Sequence, residues 1–174
     1  MNNLYKIMSE EYINMFKKKK FMLLRVILCY KRVLEYRVLV LIRLYLKTTN
    51  KGLKKYIRKK LLLKYSVEIG INPKIGKNLR FAHFQGVIIG NEVVIGDNCK
   101  IYQQVTLGQK KNGVEGYGDD PIIGDNVIIF SGAKVFGKIN IGNNAIIGAN
   151  AVVFKDVPEN SIAVGIPARI IERS

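Results

Sequence analysis

Apolar side chains recur every six residues through most of the chain beyond residue 68. Gly follows eight of these anchors. A six-residue period predicts a parallel β-helix, in which each hexapeptide supplies one short strand and one turn and three hexapeptides close a triangular coil. The anchors are Ile69, Ile75, Phe81, Ile89, Ile95, Ile101, Leu107, Ile123, Ile129, Val135, Ile141, Ile147 and Val153.

In such a coil the anchors point inward, and so do the residues four positions after them, which have to be small. These second inward positions are Val93, Cys99, Val105, Val127, Ala133, Ala145 and Ala151. We expect the Gly or Asn beside an anchor to turn the corner between strands, as in Gly90-Asn91, because these residues accept a positive φ at low cost. One coil cannot bury its own apolar face, so the core has to come from stacking coils.

The positive charge of the chain is concentrated in its first third. The 174 residues include 29 Lys and Arg against 13 Asp and Glu, a net charge of +16. Residues 1–64 contain 18 basic and 3 acidic side chains, while residues 65–174 contain 11 and 10. Nearly all of the excess therefore belongs to the segment ahead of the repeats.

We predict three regions: a basic N-terminal helical segment at 1–66, a β-helix at 67–157 and a C-terminal tail at 158–174. Within the first region, the apolar pattern predicts one long helix from Phe21 to Leu46 and a second from Leu53 to Lys64. No apolar run approaches the length of about 18 residues that a membrane-spanning helix needs. Two cysteines, Cys29 and Cys99, and no signal peptide indicate a reducing, cytoplasmic environment.

Three interpretations of the basic segment remain open. It can cap the open end of the β-helix and pack against sister subunits, with its charges solvated. It can attach the protein to an anionic membrane surface, as amphipathic basic helices do, which would place the protein at the inner face of a membrane. It can attract an acidic polymer, of which nucleic acid is the least favoured because no nucleic-acid-binding module accompanies the charge.

The six-residue period is interrupted twice. Phe81 and Ile89 are eight residues apart, so two extra residues bulge out beside His83, the single histidine of the chain. A lone histidine is often structural, but its position in an irregular turn favours a role as general base, since imidazole can exchange a proton near neutral pH.

The second interruption is longer. Leu107 and Ile123 are sixteen residues apart, which predicts an excursion loop over residues 108–122. Long loops on a regular scaffold often carry function, although a tolerated surface insertion would give the same spacing.

Between about residues 61 and 172 the chain resembles the serine acetyltransferase branch of the hexapeptide-repeat acyltransferases. The matching motifs are Lys74-Ile75-Gly76, the His83 segment followed by Gly86-Val87-Ile88-Ile89-Gly90, Gln104-Val105-Thr106-Leu107-Gly108, and the tail Val164-Gly165-Ile166-Pro167-Ala168-Arg169. The shorter layout is similar to that of bacterial capsule and exopolysaccharide O-acetyltransferases.

The resemblance implies a left-handed β-helix that acts as a homotrimer. It implies that His83 is the general base, that Glu68 orients its imidazole where the family usually has Asp, and that the acetyl group moves directly from acetyl-CoA without a metal or a covalent acyl-enzyme. It also implies a CoA site in the groove between neighbouring subunits, formed by Gly108, Ser131, Ala149, Lys155 and Arg169. The two basic residues of this set could pair with the CoA phosphates.

The chain departs from the serine acetyltransferase pattern at two places. Ala82 stands where the family has Asp, and Asp119-Asp120 stand where the family has Arg-His ahead of the loop's closing proline. Because that Arg binds the carboxylate of the amino acid, an acid there should repel it. About half of the family's N-terminal domain also has no counterpart. We therefore expect a carbohydrate hydroxyl in capsular or exopolysaccharide synthesis as acceptor.

Serine O-acetylation in cysteine biosynthesis is the alternative activity, and a non-enzymatic trimeric scaffold is a third interpretation. Two other classes that share the fold are excluded. A γ-type carbonic anhydrase needs three His for its zinc, and the chain has one. A sugar nucleotidyltransferase needs a separate nucleotide-binding domain, for which the chain has no room.

Overall fold

A computed structural model describes residues 2–16, 22–109 and 119–172, and the chain divides into two compact units, Met1–Tyr65 and Ser66–Ser174. Residues 110–118 of the predicted excursion loop lie outside the described residues. Among the helices in the described ranges, none has the length and apolarity to span a membrane.

The first unit consists of four helices: α1 (Asn2–Phe16), α2 (Met22–Arg32), α3 (Leu34–Lys47) and α4 (Lys51–Tyr65). The prediction of one long helix from Phe21 to Leu46 is wrong, because the backbone is extended at Val33, with φ −102° and ψ 109°. The Arg37 side chain donates to the carbonyl oxygens of Tyr30, at 2.7 Å, and Lys31. It thereby satisfies carbonyl groups that the end of α2 leaves without a helical partner.

The helical unit has a hydrophobic core of its own. Ile7, Tyr12, Val26, Tyr36 and Val40 are buried there, and the Tyr36 hydroxyl donates to the carbonyl oxygen of Met8. Burial raises the pKa of the Tyr36 hydroxyl well above its usual value. An ion pair of 2.7 Å between the buried Glu11 and the half-buried Arg43 links α1 to α3. The unit therefore combines apolar packing with a directional polar contact.

The second unit is a parallel β-helix with three sheets, as predicted. The first sheet has the order β1-β4-β7-β10-β13 and the second β2-β5-β8-β11. The third sheet has the order β3-β6-β9-β12-β14, with β15 added antiparallel at its edge. The strands are β1 (Glu68–Ile69), β2 (Lys74–Ile75), β3 (Arg80–Phe81), β4 (Ile88–Ile89), β5 (Val94–Ile95), β6 (Lys100–Ile101), β7 (Thr106–Gly108), β8 (Ile122–Ile123), β9 (Ile128–Ile129), β10 (Lys134–Phe136), β11 (Asn140–Ile141), β12 (Ile146–Ile147), β13 (Val152–Val153), β14 (Ser161–Val164) and β15 (Arg169–Glu172).

The predicted inward positions form the core of the β-helix. Every anchor is buried except Ile75, which is half-buried on the outermost strand of the second sheet. All seven second inward positions have no exposed surface. The hydrophobic period therefore predicted the core residue by residue.

The corners are built differently from the prediction. The left-handed residues with positive φ are not the Gly residues after the anchors but a column of Asn between the second and third sheets, with φ from 56° to 61°. This column consists of Asn78, Asn98, Asn126, Asn144 and Asn160. A second column, between the third and first sheets, consists of Ser66, Gly86, Gln104, Gly132 and Asn150.

The Gly residues after the anchors are needed because the next coil approaches them closely. A Cβ on Gly96 would lie 2.3 Å from Oδ1 of Asp125, and one on Gly76 would lie 2.4 Å from Oδ1 of Asp97. Those two carboxylates accept hydrogen bonds from the backbone N–H groups of Asp97, at 2.7 Å, and Lys77, at 2.6 Å. Gly in one coil therefore makes room for the Asp that fastens the next coil.

Substitution of Gly70 by Ala should destabilise the fold, because the new Cβ would lie 2.4 Å from the backbone of Gly90 and Asn91. We expect a loss of about 1–3 kcal/mol, which is typical of overpacking. Gly108→Ala is the matched control, because Gly108 also follows an anchor but a Cβ there would meet nothing within 4 Å. Thermal unfolding midpoints would measure the difference, and equal midpoints for the two variants would refute the close-approach explanation.

Candidate active site

The bulge that follows β3 places His83 on the outside of the coil. Phe84 turns inward and is 3 % exposed, and Val87 takes the small inward position in line with Val67 and Val105. The two extra residues are thus absorbed before Val87, and the register of β4 with β1 and β7 is kept. His83 is left exposed beside a buried anchor.

His83 lies in a cavity of about 270 Å³ between two successive coils. Gln85 and Gly86 line it from the bulge, and Gln103 and Gln104 line it from the coil above. Imidazole and amide groups therefore surround the space, and no acidic side chain of the described residues belongs to its wall. Such a wall can exchange hydrogen bonds and one proton with a small polar molecule.

Backbone hydrogen bonds hold this wall in place. Gly86 N–H donates to the Ser66 carbonyl at 2.8 Å, and Gln104 N–H donates to the Gln85 carbonyl at 2.9 Å. Gly86 has a φ of 72°, and a Cβ there would lie 3.3 Å from Cγ of Gln104. Gly suits position 86 because L-residues rarely adopt this φ and because a Cβ there would press on the Gln104 side chain above it.

Lys134 fixes the upper part of the wall from outside. Its Nζ donates to the Gln104 carbonyl at 2.6 Å and to Oγ1 of Thr106 at 3.1 Å. Gln104 itself has a φ of 58°, a conformation that an L-residue with a long side chain rarely adopts. The ammonium group stabilises a backbone segment that would otherwise be unfavourable.

Glu68 is the first residue of β1, and its side chain is exposed. Its N–H donates to the Val87 carbonyl at 3.0 Å, which puts it at the same edge of the first sheet as the bulge. No hydrogen bond or ion pair between Glu68 and His83 is found in the described residues. Its role in orienting the imidazole stays a prediction.

The structure brings together some of the predicted CoA-binding residues and separates others. Ser131 and Ala149 continue the corner column of Gln85 and Gln103, through bonds from Gln104 N–H to the Gln85 carbonyl, from Gly132 N–H to the Gln103 carbonyl and from Asn150 N–H to the Ser131 carbonyl. Gly108 is the last residue of β7, and Lys155 follows β13. Both therefore lie at the carboxyl ends of strands of the first sheet, on the side opposite to the corner column. The five residues therefore do not form one cluster within a single chain.

Arg169 is exposed at the start of β15, directly after a turn that closes over the first sheet. In that turn the Gly165 carbonyl accepts a hydrogen bond from Val152 N–H, and Ala168 N–H donates to the Val152 carbonyl. This places Arg169 beyond the upper end of the corner column that contains Gln103, Ser131 and Ala149.

Asp120 has a structural position that the sequence did not reveal. It is 5 % exposed, and its Oδ2 accepts hydrogen bonds from Glu92 N–H at 2.9 Å and from Gln109 Nε2 at 3.4 Å. A Cβ on Gly90 would lie 2.4 Å from Oδ1 of Asp120. Asn91 has the same role one coil earlier, where its Oδ1 accepts from Ile71 N–H.

The expected repulsion of a carboxylate-bearing substrate concerns Asp119, which stands in the place of the family's Arg, and the geometry of Asp120 does not test it. The Asp120 carboxylate fastens the start of the coil that contains β8 to the coil that contains Glu92, and Asp119 beside it is half-buried. Gly90 could have indicated the position of Asp120 from the sequence, because a Gly after an anchor predicts an Asp or Asn in the coil above it.

Gln103 and Lys134 are the site residues that the motif analysis missed. Gln103 follows His83 by twenty residues, the same separation that joins Gly70 to Gly90 and Gly76 to Gly96 in adjacent coils. Counting one full coil from His83 would have found Gln103. Lys134 could not be found in this way, because its contact depends on side-chain length and direction.

The two cysteines are poor nucleophiles. Cys99 has no exposed surface, and burial raises the pKa of its thiol to about 11. Its Sγ donates to the Gly124 carbonyl at 3.1 Å. Burial also raises the pKa of the Cys29 thiol, against an opposing effect of Arg25. Because the thiolate is the reactive form, neither residue suits a covalent acyl-enzyme step.

Comparisons with known proteins bear on the predicted family. A serine acetyltransferase of Staphylococcus aureus strain Mu50 is 46% identical over 125 residues, which cover 69% of this chain and 58% of that protein. The crystal structure of Neisseria gonorrhoeae serine acetyltransferase has a TM-score of 0.82 and 28% identity, over 99% of this chain and 68% of that one. These two similar proteins are named as serine acetyltransferases. The chain spans less than two thirds of the length of the curated relatives it matches.

A serine acetyltransferase solved in complex with CoA is also similar, with a TM-score of 0.77 and 28% identity over 98% of this chain and 70% of that one. No family model matches the sequence. The structural similarity confirms the left-handed β-helix with an N-terminal helical segment. The predicted carbohydrate acceptor and the resemblance to capsule O-acetyltransferases are wrong, because the similar proteins are named serine acetyltransferases. These findings support the alternative activity, serine O-acetylation.

The structural role of Asp120 can be tested by two substitutions. Asp120→Asn keeps an oxygen that accepts the Glu92 N–H, so its unfolding midpoint should stay close to that of the wild type. Asp120→Ala leaves that half-buried N–H without this partner and should lower the free energy of unfolding by about 1–3 kcal/mol. Equal stability of the Ala variant and the wild type would show that Asp120 does not fasten the coil.

Proposed function

We propose that this protein is an O-acetyltransferase that transfers an acetyl group from acetyl-CoA to the hydroxyl of L-serine. The observation that carries the proposal is an exposed histidine in a polar cavity between two coils of a β-helix whose relatives are serine acetyltransferases. The similarity to the CoA-bound serine acetyltransferase supports CoA as the carrier of the acyl group.

In the proposed reaction His83 acts as the general base. Its imidazole takes the proton from the acceptor hydroxyl as the oxygen attacks the thioester carbonyl carbon. The C–S bond then breaks, and the departing CoA thiolate takes the proton back from the imidazolium. The proton and the acetyl group are both accounted for, so no covalent enzyme intermediate is needed, in keeping with the burial of Cys99.

Asp119, in the place of the family's Arg, remains a difference from the family. Asp120 beside it is compatible with a serine acceptor. Its carboxylate is buried and bonded to Glu92 N–H, so it is not available to repel the carboxylate of an amino acid. Ala82 remains a difference from the family, and it is half-buried with its N–H bonded to the Ile101 carbonyl.

The CoA site is proposed to extend from the His83 cavity along the corner column. Ser131 and Ala149 continue that column for two coils, which gives an extended ligand a regular edge to follow. Arg169 lies beyond the end of the column, where its guanidinium could pair with a phosphate. Gly108 and Lys155 lie at the opposite end of the first sheet, so they could contact the same ligand only from a neighbouring subunit of the proposed homotrimer. Glu68 is proposed to orient His83 when substrates are bound.

CoA release from acetyl-CoA in the presence of L-serine would test the proposed function. We expect turnover with the wild type and a fall in kcat of about 100-fold or more for His83→Asn, because general base catalysis typically contributes that much. Lys77→Ala, at an exposed position outside the cavity wall, is the control and should keep its activity. The same preparation should have the mass of three chains by light scattering. Turnover on sugars but not on serine would refute the proposal.

Peripheral membrane association through residues 1–64 also stays a prediction. Helix α4 carries seven Lys and Arg and no acidic residue, and Tyr56 and Leu63 on it are 58 % and 71 % exposed. We expect the protein to sediment with anionic liposomes at low salt and to be released at high salt, because surface charges are screened. Lys55→Gln with Lys59→Gln should weaken the binding. Equal binding to neutral liposomes, or none to anionic ones, would discard the prediction.

A further inference from the structure

The Gln103 side chain carries a buried oxygen with no hydrogen-bond partner. Its Oε1 is inaccessible to solvent, and among the described residues nothing donates a hydrogen bond to it. The same side chain lines the His83 cavity. A buried amide oxygen without a donor is unfavourable, so a native structure that keeps one invites an explanation by function.

Other buried oxygens of the β-helix have a structural explanation. Asn78 Oδ1 and Asp120 Oδ1 also have no partner in the described part of the chain, but both belong to corners. Asn78 donates through Nδ2 to Asn98, and Asp120 accepts from Glu92 N–H through Oδ2. Neither residue lines the His83 cavity. Gln103 is therefore distinguished from them by its place beside the proposed base.

The backbone of Gln103 is fixed by its neighbours before any ligand binds, while its buried side-chain oxygen has to turn toward the cavity to meet a ligand. Its carbonyl accepts a hydrogen bond from Gly132 N–H at 3.0 Å, and the next residue is held by Gln85 and Lys134. An acceptor on a fixed backbone loses little conformational freedom when a ligand arrives, so its hydrogen bond contributes more to binding.

The chemistry of the cavity decides which ligand group meets this oxygen. Among the described residues, the wall contains one imidazole and three side-chain amides and no carboxylate. In the proposed reaction, on which this inference rests, the proton of the serine hydroxyl goes to His83. The donor that remains on serine is its ammonium group. We propose that Gln103 is a substrate-binding residue whose Oε1 accepts a hydrogen bond from the α-ammonium group of the acceptor.

If Gln103 binds the ammonium group, its substitution should lower kcat/KM only for acceptors that carry an amine. Wild type should prefer L-serine to 3-hydroxypropionate, which has the same hydroxyl and carboxylate but no amine. Gln103→Met, of similar length but without a strong acceptor, should lower kcat/KM for L-serine about 10-fold or more, chiefly by raising KM. Its kcat/KM for 3-hydroxypropionate should stay within about twofold of the wild type, because that acceptor never made the hydrogen bond.

Gln103→Glu is the second variant and restores an oxygen acceptor, now with a negative charge. It should bind L-serine at least as tightly as the wild type, since hydrogen bonds between charged groups are stronger. This variant keeps the inference testable if Gln103→Met does not fold. A KM for L-serine raised 10-fold or more in Gln103→Glu would overturn the proposal, and so would an equal loss on both acceptors in Gln103→Met.

The outcome for wild type separates this inference from the function on which it rests. Absence of serine turnover by wild type would refute the proposed function and the inference with it. Serine turnover by wild type, with the same preference for serine over 3-hydroxypropionate in Gln103→Met, would leave the function standing and overturn the role of Gln103 alone.

Discussion

The close stacking of successive coils is the constraint on which the β-helix depends. Each strand is only two to four residues long, so a coil has almost no hydrogen bonds of its own and is held by the coils above and below it. The approach is so close that a Cβ on Gly96 would lie 2.3 Å from the carboxylate of Asp125. Gly at the end of one strand and Asp or Asn in the next coil are therefore one structural unit, in which the first supplies space and the second supplies the hydrogen-bond acceptor.

The candidate site forms where this stacking is locally relaxed. The bulge after β3 adds two residues, and burial of Phe84 absorbs them without changing the register of β4. The cost of the irregularity is thus confined to one corner, where His83 is exposed and a cavity opens toward the coil above. The regular neighbours keep this cavity rigid, because Gln104 is bonded both to Gln85 and to Lys134. A precise arrangement of polar groups follows from one interruption in an otherwise uniform coil.

The period of the sequence was sufficient to predict the inward residues and the bulge at His83, since both depend on separations along the chain. It was not sufficient for properties that depend on which residue lies one coil away. The reason for Gly after an anchor, the burial of Asp120 and the position of Gln103 all arise from contacts between residues 20 or 28 positions apart. The break at Val33 was missed for a similar reason, because it depends on the reach of the Arg37 side chain back to Tyr30.

The wrong prediction of the acceptor shows that the role of a side chain cannot be inferred from its place in a motif without its position in the structure. Asp119-Asp120 occupy the place in the sequence where the family has Arg-His, yet the second of these acids, Asp120, closes a corner of the coil. Acceptor choice is better argued from the cavity wall, which offers imidazole and amides but no acidic group among the described residues. Discrimination by such a wall has to come from hydrogen bonds in fixed directions rather than from net charge. A wall of this kind rejects an acceptor that leaves a buried polar atom unpaired.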